Sequence, residues 1–496
     1  MPDRPARPPH RGPRQRSRTA PAQRTRRAEP TRFAAYSLLR AVADGAYANL
    51  EMPKIIRQRR LEPRDAAFAT ELAFGTLRWQ GLYDAVVAVA ADRPTERIDP
   101  EILDVLRLGA HQLLGMRVPA HAAADQTVGL ARTVVGQGAS GLVNAVLRRV
   151  TERTLEEWTE AVTPQGGGAA ALAVRHSHPE WVVSALRAAL LGHGRATPDT
   201  VDAELGALLA ADNVPPRVHL VARPGLATVE ELVHDSDGEP STTSPVGVVL
   251  RSGDPGRIAA VRDGRAAVQD EGSQHLALAL AAVDVPDGLP ARWLDLCAGP
   301  GGKAGVLGAL ALEAGAALTA VEVSPHRADL VRSSLAPLIE KASAASRPVD
   351  IRTADGRTIG EEEPAAYARV LVDAPCTGLG ALRRRPEARW RRQPSDLATL
   401  GPLQRALLTS ALDAVAPGGV VAYATCSPHV AETRFVVSDV VKKRDDVEVL
   451  DARPFLRDAS GAPLADLGDG PHVQLWPHVH GTDAMFLALL RKRPDA

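Results

Sequence analysis

The chain has 496 residues, with 59 Lys and Arg balanced by 59 Asp and Glu, so no overall basicity marks it as a polyanion binder. Its three cysteines, Cys297, Cys376 and Cys426, are too few and too irregularly spaced for a disulfide framework or for the paired short loops of a structural zinc site. The length allows about two to four domains with self-sufficient cores. No apolar stretch is long enough to span a bilayer and the start lacks a secretory apolar segment, so a soluble, cytoplasmic, metal-free monomer is expected.

Residues 1–30 are crowded with Arg and Pro and nearly lack acids; such a segment cannot bury enough apolar surface to fold, and a disordered basic tail is expected. From 31 to 160 the apolar residues recur at spacings of three and four. Helices are predicted over Phe33–Val42, Ala66–Leu77, Gly81–Ala90, Pro100–Leu114 and Ala123–Val134, with Ile102, Val105, Leu106 and Leu113 on one buried stripe. Arg148 and Arg149 read equally as a phosphate contact or as a helix's polar end. Pro164 to Gly168 is a linker by composition. Residues 170–285 read as a small α+β connector, with a helix at Trp181–Leu191, strands at Val218–Val221 and Val246–Leu250, and a polar loop from Ser236 to Ser244.

From 286 to 496 the rhythm changes to short apolar runs alternating with helices. Strands are predicted at Trp293–Cys297, Leu318–Val323, Val349–Arg352, Val370–Asp373 and Val420–Thr425, and helices at Ala304–Glu313, His326–Ala342 and Pro402–Val415. Runs without strict alternation suit strands buried on both faces. The alternation implies an α/β, Rossmann-like, doubly wound parallel sheet whose ligand lies at the carboxyl ends of the strands. All three cysteines lie at such ends.

The first strand leads into Cys297-Ala298-Gly299-Pro300-Gly301-Gly302-Lys303, where glycines let a ligand approach the backbone and free amides at the helix start favour its polar groups. The second strand ends at Glu322, an acid placed for ribose hydroxyls, and the third leads to Asp355, placed for an adenine edge. A nucleoside-type cofactor is expected. A methyl donor also gives the thiols a task. Carbon 5 of cytosine is a poor nucleophile until a thiolate adds at carbon 6, and the chemistry then needs an acid near N3 and the exocyclic amine and a group to assist release. Asp373, Cys376 and Cys426 are groups of that kind.

Asp295 to Lys303, Asp373-Ala374-Pro375-Cys376 and Thr425-Cys426-Ser427, in this order, resemble motifs I, IV and VI of the Nop/Sun family of RNA 5-methylcytosine methyltransferases. Further matches are Gln269 to Gln274, Arg384-Arg385-Pro386-Glu387 with Trp390, Trp476-Pro477-His478 and Gly481-Thr482-Asp483. The helical region resembles a NusB-type RNA-binding module, and the combination is similar to the bacterial members that act on small-subunit (16S) ribosomal RNA. The resemblance spans residues 31–493. It implies S-adenosylmethionine as cofactor, RNA as partner, Cys426 as nucleophile, Cys376 in product release, and Asp373 facing both donor and base. Cofactor contacts are implied for Cys297, Ala298, Gly299, Pro300, Gly301, Gly302, Lys303, Glu322, Asp355 and Asp373. Lys303 is left between the donor's carboxylate and the substrate, and Cys297 reads as a packing residue whose backbone lines the cofactor.

The chain departs from the family pattern at Ala304, Thr433 and Ala484, and Thr433 puts in doubt a contact behind Cys426. Alternatives are a methyltransferase acting on tRNA or on DNA cytosine, which in the DNA case makes Cys376 the attacker, and a non-catalytic RNA-binding or ribosome-assembly factor. Arg383, Arg384, Arg385, Arg389, Arg391 and Arg392 form a basic run beside the site and are expected to contact RNA phosphates.

Overall fold

The computed structural model describes residues 29–494; all but the last two residues of the expected basic tail lie outside the described residues. From Pro30 to Val162 the chain is helical, with Pro in the first turn of several helices, where its missing N–H costs nothing. The five helices expected in this region are present. The helix Pro100–Ala110 is capped by Asp99, whose carboxylate accepts from the amides of Glu101 and Ile102. Its buried apolar residues include Leu103, Val105, Leu106 and Leu108 rather than the expected narrow stripe, because Ile102 and Leu113 are only half-buried at the edge of this core. The helical region has its own core, built from residues such as Leu38, Leu72, Val86, Leu106 and Leu147.

Helices Gly168–Arg175, Glu180–Gly192 and Val201–Ala211 follow, and their shared core takes in Leu379, Leu382 and Trp476 from the C-terminal half. Next comes a four-stranded antiparallel sheet of β1 (Val218–Ala222), β2 (Gly238–Pro240), β3 (Gly247–Leu250) and β4 (Ala266–Val268), in the order β2-β3-β1-β4. The polar segment expected to be a loop therefore contains β2, an edge strand of three residues, too short to show any alternation. The helix Glu271–Ala282 packs in the core of the large sheet, together with the helices that follow.

The large sheet contains β5 (Arg292–Asp295), β6 (Ala317–Glu322), β7 (Val349–Thr353), β8 (Tyr367–Asp373), β9 (Val415–Thr425), β10 (Val447–Leu450), β11 (Val473–Gln474) and β12 (Phe486–Lys492). Their order is β10-β12-β9-β8-β5-β6-β7, with β11 on β12. Strands β5 to β9 pair in parallel, as expected. The expectation of a wholly parallel sheet is corrected at the far edge, where β12 runs antiparallel between β9 and β10. Phe486 to Leu490 are fully buried there, and an antiparallel entry needs no crossover helix before it. Helices cover both faces: Gly302–Glu313 and Pro325–Ala344 share one core, and Asp396–Ala414 and Arg434–Val441 share the other. The strand order reverses between β5 and β8, so a crevice opens at their carboxyl ends.

Candidate active site

One wall of that crevice grows from β5 to β7. The amide of Cys297 turns back to donate to Asp295 Oδ1 at 3.2 Å, and the amide of Ala298 donates to the Val321 carbonyl at 2.9 Å. Gly301, with φ of 109°, starts the helix Gly302–Glu313 from a conformation that side chains rarely adopt. At Gly299 a Cβ would lie 2.0 Å from Glu322 Oε2 and 2.9 Å from Arg327 Nε, so only glycine lets the turn approach that acid. Glu322, 4% exposed, accepts from the Ser324 amide at 2.9 Å and pairs with Arg327 at 3.4 Å. Asp355 is bonded to the Arg357 guanidinium, and this holds its carboxyl below the ordinary range. The Cys297 thiol packs beside the core, and burial, reinforced by Asp295 and Asp373, pushes it well up.

The second wall grows from β8 and β9. Their ends are tied by the Ala374 amide on the Ala424 carbonyl and the Gly380 amide on the Cys426 carbonyl, each at 2.9 Å. Across that junction Cys376 Sγ and Cys426 Sγ lie 3.4 Å apart as free thiols. The hydrogen bond from Cys376, helped by Lys303 and Arg385, lowers the Cys426 thiol against its burial. The same bond and burial raise Cys376 well above the ordinary thiol value. Lys303 Nζ donates to Asp373 Oδ2 at 2.8 Å; burial works against its charge, but the Asp373 carboxylate more than offsets this and raises it overall.

A buried carboxylate holds this wall together. Glu432, fully buried, accepts from the Thr377 amide at 2.7 Å, from Thr377 Oγ1 at 2.5 Å and from Gln404 Nε2 at 3.2 Å. It thereby locks the residue after Cys376 to the segment after Cys426. Sequence reasoning missed Glu432, Thr377 and Gln404 in this role, since the partners lie 28 and 55 positions apart. Thr433 bonds to residues other than Cys426. Its hydroxyl donates to the His429 carbonyl at 3.0 Å and lies 3.3 Å from His193 Nε2.

The arginine run is corrected in its role. Arg389 is wholly buried and donates to the carbonyls of Ser177 and Asp212 and to Asn213 Oδ1, at 2.8 to 3.2 Å. Arg383 bonds the Gly481 carbonyl, Arg384 pairs with the buried Asp483, and Arg392 bonds the carbonyls of Thr377 and Cys376. Trp390 Nε1 reaches the Leu77 carbonyl at 3.3 Å. Carbonyls arriving from distant segments, invisible in the local sequence, engage most of these guanidinium groups in assembly. The motifs around Asp270, Arg384 and Asp483 also converge: Asp270 Oδ1 accepts from the amides of Gly272 and Asp483, each at 3.0 Å.

All the expected site residues except Gly301 line one cleft of about 980 Å³; Gly301 packs beside it toward Ser334. A smaller cavity of about 550 Å³ between the helices Gly168–Arg175, Glu180–Gly192 and Val201–Ala211 holds none of these residues. Within the cleft Asp295 Oδ2 is buried without a hydrogen-bond partner, and burial together with Asp373 pushes this carboxyl up to about 7. A cationic donor there satisfies it. Glu322 and Asp355 supply acceptors farther along the same wall, so the residues present fit S-adenosylmethionine, with its ammonium, ribose and adenine. Among the described residues no group of three or more His, Cys, Asp and Glu is placed to hold a metal ion, and no helix is long and apolar enough to cross a membrane.

The family model described as 16S rRNA methyltransferase RsmB/F matches residues 286–491, and that of the NusB family matches residues 29–152. A Mycobacterium tuberculosis (strain H37Rv) protein, named only as a methyltransferase, is 51% identical over 472 residues, covering 95% of this chain and 98% of the relative. The ribosomal RNA small subunit methyltransferase B of Pseudomonas syringae pv. tomato is 31% identical, covering 93% of this chain and 96% of the relative. The crystal structure of PH0851 superimposes with a TM-score of 0.74 at 20% identity, covering 94% of this chain and 99% of that one, a likeness of fold. With the glycine turn, the fitted cofactor cleft and these relatives together, the chain belongs to the RsmB/F family of S-adenosylmethionine-dependent methyltransferases, carrying a NusB-family region ahead of the catalytic sheet.

Proposed function

We propose that the chain methylates carbon 5 of a cytosine in ribosomal RNA of the small subunit, through a covalent adduct between Cys426 and carbon 6. The observation that carries this reading is the pair of unlinked thiols 3.4 Å apart, with the Lys303–Asp373 pair beside them. One thiol is enough for an attacker. A second, raised thiol in contact with it supports a separate task in release.

In this mechanism Cys376 donates its hydrogen bond to the Cys426 thiolate in the resting site and keeps it ready to attack. Addition of the Cys426 sulfur to carbon 6 moves electron density toward carbon 5 and the polar edge of the ring. Asp373 accepts from the exocyclic amine. Lys303, fixed by Asp373, donates toward the same polar edge, which favours its substrate role over a contact with the donor's carboxylate. S-adenosylmethionine, when bound, supplies the electrophilic methyl group that the activated carbon 5 takes. Once Cys426 is tied up as a thioether, the hydrogen bond and charge that chiefly raised Cys376 are gone, and Cys376 gives up its proton to solvent through the cleft. Its thiolate then takes the proton from carbon 5 as the bond between carbon 6 and sulfur breaks, and the ring regains its double bond.

The test uses 16S ribosomal RNA transcript and labelled S-adenosylmethionine. Cys426→Ala is expected to abolish transfer, and Cys376→Ala to accumulate a protein–RNA adduct on a denaturing gel. An adduct formed by Cys426→Ala would reverse the two roles. Bisulfite sequencing of the product reads whether carbon 5 of cytosine carries the methyl group.

A further inference from the structure

The helical N-terminal region sends one residue into the catalytic cleft. Tyr47, between the helices Pro30–Ala43 and Ala48–Arg59, lines the same cleft as Cys426 and is 46% exposed. Its backbone neighbours are held from the catalytic side at three points. The Ala48 amide donates to Glu387 Oε1 at 3.1 Å, and Arg391 Nη2 donates to the carbonyls of Ala46 and Val42 at 2.6 and 3.2 Å. The guanidinium groups of Arg391 and Arg385 lie 5.1 and 5.6 Å from the centre of the ring.

A tyrosine serving only to pack two regions together would bury its ring, whereas this one is firmly held and still keeps nearly half of its surface open. Arg385, whose guanidinium faces both this ring and the Cys426 thiol, is the second such group. No side-chain hydrogen bond or ion pair to it occurs among the described residues, its Nε is buried without a partner, and it stands in the cleft near Cys426. It differs in this from Arg383, Arg384, Arg389, Arg391 and Arg392, which carbonyls or carboxylates engage. A half-exposed aromatic ring beside a guanidinium that makes no hydrogen bond or ion pair is the combination that holds an unstacked nucleotide, base on ring and phosphate on cation.

We propose that Tyr47 is the stacking platform for a nucleotide flanking the target cytosine, and that Arg385 binds the phosphate of that nucleotide. The N-terminal region then completes the substrate site instead of only tethering RNA at a distance. This rests on the RNA cytosine reading above.

The experiment uses the full chain, S-adenosylmethionine and an RNA fragment containing the cytosine that the unmodified protein methylates, with and without a single abasic nucleotide on either side. Tyr47→Ala is expected to raise KM for RNA roughly 5- to 100-fold with little change in kcat. Tyr47→Phe and Tyr47→Trp restore KM, and S-adenosylmethionine affinity is unchanged in all three. An abasic nucleotide at one flank reproduces the loss, and Tyr47→Ala adds nothing further to it. Independent, multiplying losses at both flanks would overturn the proposal, as would Tyr47→Phe being as damaging as Tyr47→Ala. Arg385→Ala is expected to reduce the slope of log affinity against log salt by about 0.7, the contribution of one single-strand phosphate; an unchanged slope overturns the phosphate contact. Absence of RNA methylation by the unmodified protein would instead defeat the underlying reading, a result separate from all of these.

Discussion

The wall that fits the cofactor and the thiol wall proposed to take the substrate, here the cofactor wall and the substrate wall, share one sheet, yet they draw their parts from very different distances along the chain. On the cofactor wall each acid is fixed by a local bond, Cys297 to Asp295, Ser324 to Glu322 and Arg357 to Asp355 each spanning two residues, and the longer ties, such as Ala298 to Val321 and Arg327 to Gly299, stay within the same strand–helix unit. On the substrate wall Thr377 reaches 55 residues to Glu432, Arg384 reaches 99 to Asp483, Arg389 reaches 212 to Ser177 and Glu387 reaches 339 to Ala48. A strand–turn–helix unit largely forms its own binding surface. The thiol pair rests on β8 and β9, but the bonds of Arg389 and Glu387 around it form only when the helical region and the connector dock on the sheet. Damage to the long-range bonds therefore separates RNA chemistry from cofactor binding.

The strongest way to break that contrast is at Arg389. Its guanidinium is fully buried, and removing it leaves the carbonyls of Ser177 and Asp212 and the Asn213 side chain without this donor. Arg389→Ala is expected to cost about 3–5 kcal/mol in the transition that undocks these segments, measured by urea unfolding. A milder break is Glu432→Ala. Releasing Thr377 lets the Cys376 loop drift from Cys426, and a misplacement of about 1 Å lowers kcat on the order of 100-fold. S-adenosylmethionine affinity by calorimetry stays near that of the unmodified protein. Equal loss of cofactor binding would erase the distinction between the walls.

The same contrast explains what was legible in the sequence. Strands β5 to β9 read correctly because buried parallel strands are continuous Val, Leu and Ala runs, and the glycine turn and the acids after β6 and β7 follow from local spacing. Cys376 and Cys426 were visible as chemical types at strand ends, but not their approach to 3.4 Å, which depends on β8 pairing with β9. The antiparallel β12 has no local mark that sets its direction. The arginines misled because a charge run looks alike whether water or buried carbonyls receive it. Only tertiary structure tells Arg389 from Arg385. Tyr47 carried no signal, being one aromatic residue between two helices; its meaning comes from Glu387 and Arg391, which hold its neighbours in the cleft.

Two pH measurements sharpen the comparison with smaller effects, one on each wall. On the substrate wall the Cys426 thiol is lowered chiefly by the hydrogen bond from Cys376. Alkylation of Cys426 by iodoacetamide, followed against pH in the ligand-free protein, is expected to shift its midpoint upward in Cys376→Ala. A midpoint that stays put would remove Cys376 from the activation of the nucleophile. On the cofactor wall the carboxyl of Asp295 stands at about 7 in the folded protein, raised by burial from an ordinary 3.8. Between those two values the folded state holds a proton that the unfolded chain has released, so stability falls as pH rises through this window and levels off above about 7. Asp295→Asn cannot ionise there, and its thermal unfolding midpoint is expected to decline less between about pH 5 and pH 8 than that of the unmodified protein. On the proposed reading, saturating S-adenosylmethionine places a cation beside the same carboxylate and is expected to flatten the decline in the unmodified protein alone. An equal slope in both proteins without ligand would mean that Asp295 is not the group that titrates, and the local self-sufficiency of the cofactor wall would lose its electrostatic support.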